Sequence, residues 1–342
     1  DPPVRFVLEQ TFGVESTPAP AVLGSIDGVD VDEDGNVYIL DTQSNELVAF
    51  GADGTVRWRV GSQGEGPGEF ERARGIALDD SGSIVVSDQS GYVLDRFDVM
   101  GRFQNRRRVA EAGIARFFVD DFLAPDLILG HDRNVGAIGT TVLVLRQGER
   151  LELAAAREID VDPEAPVPAD VSVTVGLRAS DGMVFIGHDG RYEIRVLDRS
   201  LHLVKVVARP DFGKLVRTGF TVDNAGRGIF ANLSSLGPPV VLPDGMWLVS
   251  ASWPTGVDDP DAFIRQLARG PGSSPELGPT GRSLDFFDAD GRYLGGFEWL
   301  GDAGPGIGVP VTVGPDGKLY TERSDPFPQL RRYRVVIEDR NE

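Results

Sequence analysis

Residues 28–60 read GVDVDEDGNVYILDTQSNELVAFGADGTVRWRV. Four short runs of alternating apolar and polar residues lie in this stretch: VDVD, NVYIL, ELVAF and TVRWRV. Two of the three connections between them, DEDG and GADG, end on glycine and are typical of hairpin turns. Residues 75–109 repeat the pattern as GIALDDSGSIVVSDQSGYVLDRFDVMGRFQNRRRV. The two stretches therefore predict two successive sheets, each of four antiparallel strands joined by tight turns.

The second strand of each unit, strand b, can be followed along the whole chain. Its copies begin at residues 36, 83, 126, 183, 246 and 318, and glycine precedes each of them except the third, which follows Pro125. Six such units predict an all-β fold: a six-bladed β-propeller with four-stranded antiparallel blades, forming a single domain over 1–342. The expected blades cover 26–60, 75–109, 114–157, 171–209, 238–299, and 309–337 plus 4–12.

The last unit supplies only three strands, PVTV, KLYTE and LRRYRVVI, while the N-terminal run VRFVLEQTF (4–12) has no unit of its own. We therefore expect the N-terminal strand to pair with LRRYRVVI and to close the ring, which leaves few exposed sheet edges. In this arrangement Arg331, Arg332 and Arg334 are expected to face the N-terminal strand near Glu9 and Glu15.

The stretches VLEQTF, GVDVDEDGNVYILD and GIALDDSG, with the loop GSQGEGPGEF (61–70), resemble NHL-repeat propellers. More closely, they resemble a bacterial six-bladed β-propeller family in which a GxGPGE-F/Y loop links the first two blades. The resemblance is specific over residues 6–109. It implies the propeller fold and an extracytoplasmic setting, but little chemistry, because one fold hosts many functions.

Composition narrows the classes of partner. The chain of 342 residues has 53 acidic and 34 basic residues, a formal net charge of -19, and no cysteine. A surface this negative repels phosphate, so we expect no nucleic-acid partner and no direct docking on anionic lipid. The missing cysteines exclude disulfides and thiol catalysis. No apolar run approaches the ~18 residues of a membrane span. We interpret the start at Asp1 as a removed signal peptide, which favours a periplasmic or extracellular protein, although a trimmed chain is the alternative.

Segment lengths distinguish the two faces of the propeller. The a-to-b and c-to-d turns are short, whereas the long segments 131–139, 158–170, 210–237 and 252–281 are all b-to-c or d-to-a connections. In an antiparallel blade these two types of connection emerge on the same face, and loops on a rigid scaffold commonly carry function. We call this the loop face and the opposite one the turn face. On the loop face, DDPDAFIRQLARG (258–270) predicts a short amphipathic helix, and TGFTVDNAGRGIF (218–230) predicts a hairpin.

Catalytic chemistry has weak support. The residues expected at the loop-face mouth of the channel do not form an oxygen-rich cation site: Asp27, Arg74, Phe117, Thr174, Gly237 and Val309. His131 and His188 occupy the strand-b end, where other blades have Asp41 and Asp88. These aspartates are typical of side-chain caps of the following loop. A His pair backed by Asp132 and Asp189 is the alternative. We predict no metal and no cofactor.

The sequence favours a non-enzymatic, extracytoplasmic propeller that binds a protein partner through the loop face, as a scaffold or as an accessory subunit of an envelope membrane complex. One alternative is a lactonase-like hydrolase or lyase with its site at the channel mouth, and another is small-ligand or glycan binding. Interfaces concentrate their energy in aromatic and Arg anchors. The candidate anchors are Arg217, Phe220, Trp253, Phe263 and Arg265. For Trp253, packing against the 210–237 segment is the competing interpretation.

Overall fold

The computed structural model describes residues 4–13, 22–133, 140–159, 177–180, 182–187, 192–215, 219–222, 228–231, 234–257, 259–267, 278–301, 306–324 and 326–337. Within these ranges the chain forms 27 β-strands, one α-helix and three short 3-10 helices. The 3-10 helices are Gln89–Gly91, Val109–Ala112 and Pro210–Phe212. In the described part of the chain, no helix is long and apolar enough to cross a membrane.

The first half of the described chain contains one leading strand and three sheets. The leading strand is β1 (Val4–Phe12). Blade 1 contains β2 (Gly28–Val31), β3 (Val37–Asp41), β4 (Glu46–Phe50) and β5 (Val56–Val60). Blade 2 contains β6 (Arg74–Leu78), β7 (Ile84–Asp88), β8 (Val93–Phe97) and β9 (Phe103–Arg108). Blade 3 contains β10 (Phe118–Ala124), β11 (Leu127–Arg133), β12 (Thr140–Gln147) and β13 (Leu151–Glu158).

The second half adds three more sheets, a separate hairpin and the helix. Blade 4 contains β14 (Leu177–Ser180), β15 (Met183–Gly187), β16 (Glu193–Leu197) and β17 (Leu203–Ala208). The hairpin consists of β18 (Gly219–Val222) and β19 (Gly228–Ala231). Blade 5 contains β20 (Ser235–Leu236), β21 (Val240–Val241), β22 (Trp247–Trp253), β23 (Gly281–Phe287) and β24 (Tyr293–Leu300), with α1 (Pro260–Leu267) between β22 and β23. Blade 6 contains β25 (Val309–Val313), β26 (Leu319–Arg323) and β27 (Gln329–Ile337).

Neighbouring strands in every sheet are antiparallel, and the strands of blades 1 to 4 pair in chain order. The expected fold class, an all-β six-bladed propeller with four-stranded antiparallel blades, is confirmed. Short turns hold the hairpins: in the first, Asp32 accepts hydrogen bonds from the backbone N–H groups of Asp34 at 3.0 Å and Asn36 at 2.8 Å. Gly35 closes that turn at φ 76°, a left-handed conformation that glycine adopts without strain.

The apolar core lies between neighbouring blades, so each sheet buries both of its faces. Between blades 1 and 2, Leu40 and Leu47 pack with Ile76 and Phe97. Phe70, the last residue of the GSQGEGPGEF loop, is fully buried in this layer, and its ring centroid lies 5.7 Å from that of Phe97. The loop that carried the family resemblance therefore seals the junction between the first two blades.

Strand β1 lies in the last blade, where it pairs antiparallel with β27 from Val4 opposite Ile337 to Phe12 opposite Leu330. Phe12 is fully buried, with its ring centroid 5.9 Å from Phe50 of blade 1 and 6.3 Å from Tyr320 of blade 6. Phe12 therefore sits at the junction where the ring closes.

Glu9 ties the same junction together by charge. Its carboxylate lies 3.1 Å from Arg334 Nε, 3.9 Å from Arg332 Nε and 3.3 Å from Lys318 Nζ. Partial burial opposes ionisation, but these cations outweigh it and lower the pKa of Glu9. The expected contact with Glu9 is present for Arg332 and Arg334, whereas Arg331 donates to the Gly306 carbonyl at 3.2 Å. Glu15 lies outside the described residues.

Blade 5 differs from the expected four-strand pattern. Its innermost strand is divided into β20 and β21, and both pieces pair with β22. Pro238 and Pro239 separate the pieces, and proline has no N–H to donate to a ladder.

Candidate functional site

Two long insertions of the loop face fold against each other. The segment between blades 4 and 5 forms the hairpin β18–β19, and the segment between β22 and β23 forms helix α1; both the helix and the hairpin were expected from the sequence. Helix α1 contacts both strands of the hairpin. We call β18, β19 and α1 together the insertion unit. It extends the loop face above blades 4 and 5.

The base of the insertion unit is fixed by an aromatic cluster. Trp253, at the end of β22, is only 7% exposed. Its ring meets that of Phe212 edge-to-face, with centroids 5.1 Å apart, and Lys214 Nζ lies 5.1 Å from its ring centroid. Phe212 and Lys214 belong to the 210–237 segment. The contacts of Trp253 therefore favour the packing interpretation over the anchor interpretation.

A buried carboxylate lies beneath this cluster. Asp285 of β23 is fully buried and accepts hydrogen bonds from the Tyr192 hydroxyl at 2.5 Å and from Arg209 Nη1 at 2.9 Å. Burial raises the pKa of Asp285, since desolvation outweighs the hydrogen bonds it accepts. The Arg209 guanidinium also lies 4.7 Å from the ring of Phe212, which links the buried network to the base of the insertion unit.

The five candidate anchors fall into different environments. Arg217 lies outside the described residues, and only the backbone of Phe220 is described, in β18. Phe263 is buried on the inner side of α1. Arg265 is the exposed member: 61% of its side chain is accessible, and its guanidinium lies 3.8 Å from Asp259. The amphipathic pattern of the helix predicted that Phe263 faces inward, and the packing of Trp253 against the 210–237 segment was one of the two interpretations drawn from the sequence.

The loop-face mouth of the channel has a mixed lining. Asp27, Arg74 and Val309 are exposed, and Gly237 is partly buried. The expectation for Phe117 was wrong: it is fully buried, because its ring joins the apolar layer formed by Val85 of blade 2 and Ile128 of blade 3. Thr174 lies outside the described residues. Within the described ranges, no group of three His, Asp or Glu side chains is arranged to hold a metal ion.

Aspartates at the end of strand b form hydrogen bonds with backbone N–H groups of the loop-face connections. Asp41 is fully buried and accepts N–H groups of Gly24 at 2.9 Å and Ser25 at 3.0 Å, before the blade, and of Ser44 at 3.2 Å, after strand b. Burial opposes ionisation, but these donors outweigh it and lower the pKa of Asp41. The expected cap of the b-to-c loop is thus present at Asp41, which also holds the incoming connection.

The corresponding positions in blades 2 and 3 use other partners. Asp88 accepts the N–H groups of Glu71 at 3.1 Å and Arg72 at 2.8 Å, so it holds the connection that precedes its blade. The expected cap of the following b-to-c loop is wrong for Asp88, whose side chain forms no cap hydrogen bond to the 3-10 helix Gln89–Gly91. His131 instead pairs with a carboxylate: its Nδ1 lies 2.6 Å from Asp120 Oδ2, beside the ring of Phe118. His188 lies outside the described residues, so the His pair stays a prediction.

The opposite end of the channel contains a cavity of about 740 Å³. It is lined by innermost strands and a-to-b turns, including Asp32–Asp34 of blade 1, Asp79–Gly82 of blade 2 and Gly314–Pro315 of blade 6. These turns place it on the turn face, and we call it the turn-side cavity. The short turns of this face carry no sequence signal of a binding role.

Comparison with known proteins agrees with this geometry. Residues 16–115 match the DUF5128 family, described as a 6-bladed beta-propeller. The chain has the fold of a six-bladed propeller. The finer resemblance to NHL repeats stays a prediction. A search of curated proteins finds no match.

Solved structures add distant neighbours. A DUF4221 family member from Bacteroides vulgatus aligns with a TM-score of 0.59 at 12% identity, covering 98% of this chain and 99% of that one. Virginiamycin B lyase from Staphylococcus aureus aligns at 0.47 and 11% identity, covering 97% and 100%. BamB from Moraxella catarrhalis aligns at 0.45 and 12% identity, covering 96% and 100%. At such identities the likeness shows the fold alone.

Proposed function

We propose that this protein is a non-enzymatic, extracytoplasmic propeller that binds a protein partner through its loop face, as a scaffold or as an accessory subunit of an envelope membrane complex. The observation that carries the proposal is the insertion unit. Two insertions from separate connections fold together on one face of a rigid ring, and such loops on rigid scaffolds are common recognition surfaces. The extracytoplasmic setting rests on the resemblance to bacterial six-bladed propellers.

The insertion unit has a buried inner side and an exposed outer side. Phe263 of its helix is buried, and so are Phe212 and Trp253, which lie in the two connections that lead into the unit. Its outer side carries charge: the side chains of Asp259 and Arg265 are 62% and 61% exposed. An exposed ion pair of this kind adds little stability, about 0–1 kcal/mol, so both side chains are available to a partner. Rigid mounting lowers the entropy lost on binding.

The test compares matched charge reversals on the two faces. Arg265→Glu changes the outer side of the insertion unit, and Arg102→Glu changes an exposed arginine of a turn-face hairpin, whose side chain is 78% exposed. We expect Arg265→Glu to reduce the partner recovered by native purification from envelope extracts by roughly tenfold, as loss of an interface anchor does. Arg102→Glu should leave recovery unchanged, and both variants should melt like the parent protein.

Two results contradict the proposal, and a third calls for a second variant. Equal loss of partner from both variants shows that the protein's overall charge, and not the loop face, controls binding. Equal retention by both variants removes Arg265 from the interface, and deletion of 258–270 then tests the whole helix. Recovery that persists after this deletion, in a protein that still folds, excludes the insertion unit as the binding surface.

A further inference from the structure

The charged side chains that line the turn-side cavity are all acidic. Its described lining includes seven carboxylates and no lysine or arginine. The carboxylates come from blades 1, 2 and 3: Asp30, Asp32, Glu33, Asp34, Asp79, Asp80 and Asp121. A concave site between low-dielectric walls focuses the field of such charges and concentrates cations. The chain's net charge of -19 adds to this attraction at long range.

Some of these carboxylates hold the protein together, and others have no such role. Asp79 accepts the N–H groups of Ser81 at 3.0 Å and Ser83 at 2.8 Å, and lies 3.6 Å from Arg96. Asp30 bridges two blades by accepting the Leu78 N–H at 2.7 Å. By contrast, Asp34 and Asp80 are exposed at the rim. Their charge is available to a ligand without any change in the fold.

The cavity also has an apolar lining. Val31 is buried and forms part of the wall, together with Leu78, Phe122 and Val313, which are partly accessible. A ligand suited to this site combines hydrocarbon with positive charge. Lysine does so: its four-carbon stem packs on apolar surface while its ammonium group stays at the polar rim. A cavity of about 740 Å³ lies within the usual range of binding pockets, roughly 300–1,000 Å³.

We propose that the turn-side cavity docks a lysine-bearing segment of a protein partner. The match is one of charge complementarity: spaced ammonium groups meet carboxylates from several blades, and the stems lie on the apolar wall. Within the described residues no three carboxylates are grouped closely enough for a metal ion, so the fit is to an extended organic cation. This surface is separate from the loop face, and its test does not depend on the proposed function.

The probe is a labelled peptide, acetyl-Lys-Ala-Lys-Ala-Lys-Ala-Lys-amide, titrated into the full chain by fluorescence anisotropy in 0.1 M salt. The double variant Asp34→Asn with Asp80→Asn removes two rim charges. The double variant Asp53→Asn with Asp290→Asn is the control, because it removes two exposed charges from other hairpins of the same face. Both doubles change the net charge equally, so only the position of the charges differs.

We expect the rim double to weaken peptide binding about tenfold and the control to weaken it less than about twofold, since screening over roughly 10 Å confines the effect at 0.1 M salt. Equal weakening by both doubles, or no binding to the parent protein, overturns the proposal. Spermidine serves as the competitor. If spermidine displaces the peptide when both are present at the same concentration, the cavity binds free polyamines, and the proposal of a lysine-bearing protein segment is wrong. A negative result here does not affect the loop-face proposal, which the Arg265→Glu variant tests separately.

Discussion

The two ends of the central channel use acidic side chains in opposite ways. At the loop face, Asp41 and Asp88 are fully buried and fasten separate segments of the chain to one another. At the turn face, Asp34 and Asp80 stand exposed around a cavity. The difference links the length of a segment to the way in which the protein uses charge there. Long connections need buried carboxylates to hold them, whereas short turns close by local hydrogen bonds and leave charge at the surface.

The largest expected change in stability comes from opening the ring of blades that connects the loop face and the turn face. Deleting residues 1–12 removes β1 and the fully buried Phe12, and leaves β27 with an open edge. Loss of one buried aromatic side chain alone costs about 3–5 kcal/mol. We expect Tm to fall by about 10 °C or more and the single unfolding transition to broaden or split. Calorimetry measures both effects.

The control for this deletion is Leu8→Ala, which changes a side chain of β1 that is 49% exposed. It should melt within about 2 °C of the parent protein, because little apolar area is removed from the core. A deletion variant that melts as the control does would show that β1 contributes nothing to the ring.

A smaller effect separates packing from recognition at the loop face. Trp253→Ala removes the ring that meets Phe212 and Lys214. We expect the free energy of unfolding to fall by about 3 kcal/mol and Tm by roughly 5 °C, measured by thermal and urea unfolding. Tyr92→Ala, at an exposed aromatic of another loop-face connection, is the matched control and should change Tm by about 1 °C at most. An unchanged Tm together with loss of the partner restores Trp253 as an anchor.

The smallest effect depends on pH and tests the structural role of loop-face carboxylates. The pKa of Asp41 is lowered in the folded protein. Its stabilisation is therefore full above the unfolded pKa, near 4, and is lost as pH falls through the lower folded value. We expect Asp41→Asn to cost about 2 kcal/mol at pH 7, because a buried acceptor for several N–H groups is lost. The difference from the parent protein should shrink as pH falls below about 4.

Urea unfolding at pH 7 and at about pH 3 measures this difference. Asp290→Asn, on the turn face, is the comparison and should cost less than about 0.5 kcal/mol at both pH values. The free energy of unfolding of Asp41→Asn could instead differ from that of the parent protein by the same amount at both pH values. That result contradicts a role for the charge of Asp41 and attributes the loss of stability to packing.

The sequence was informative where the signal is local. Alternation and glycine turns located each strand b, as with Val37–Asp41 and Leu319–Arg323, because both are properties of a few adjacent residues. The pairing of β1 with β27 followed from counting strands. In blade 5, Pro238 and Pro239 signal that the innermost strand is interrupted. The expected blade nevertheless began at residue 238, so it did not include β20.

The remaining features depend on residues that are distant in the chain. Trp253 is buried because Phe212, from another insertion, meets its ring, and no local pattern records that contact. The turn-side cavity brings Asp34, Asp80 and Asp121 together from three blades. Each aspartate alone is typical of a turn or a strand end. Only the closed ring turns them into one acidic surface.

Ring closure also orders events in time. Glu9 of β1 and Arg334 of β27 are separated by 325 residues, yet they lie in contact. At a synthesis rate of about 5–20 residues per second, β1 waits on the order of tens of seconds for its partner strand to exist. During that interval the apolar side of β1, including Phe12, has no completed blade to cover it, and an unpaired strand of this kind invites aggregation. Blade 6 is thus the last to be completed, because one of its strands comes from each end of the chain.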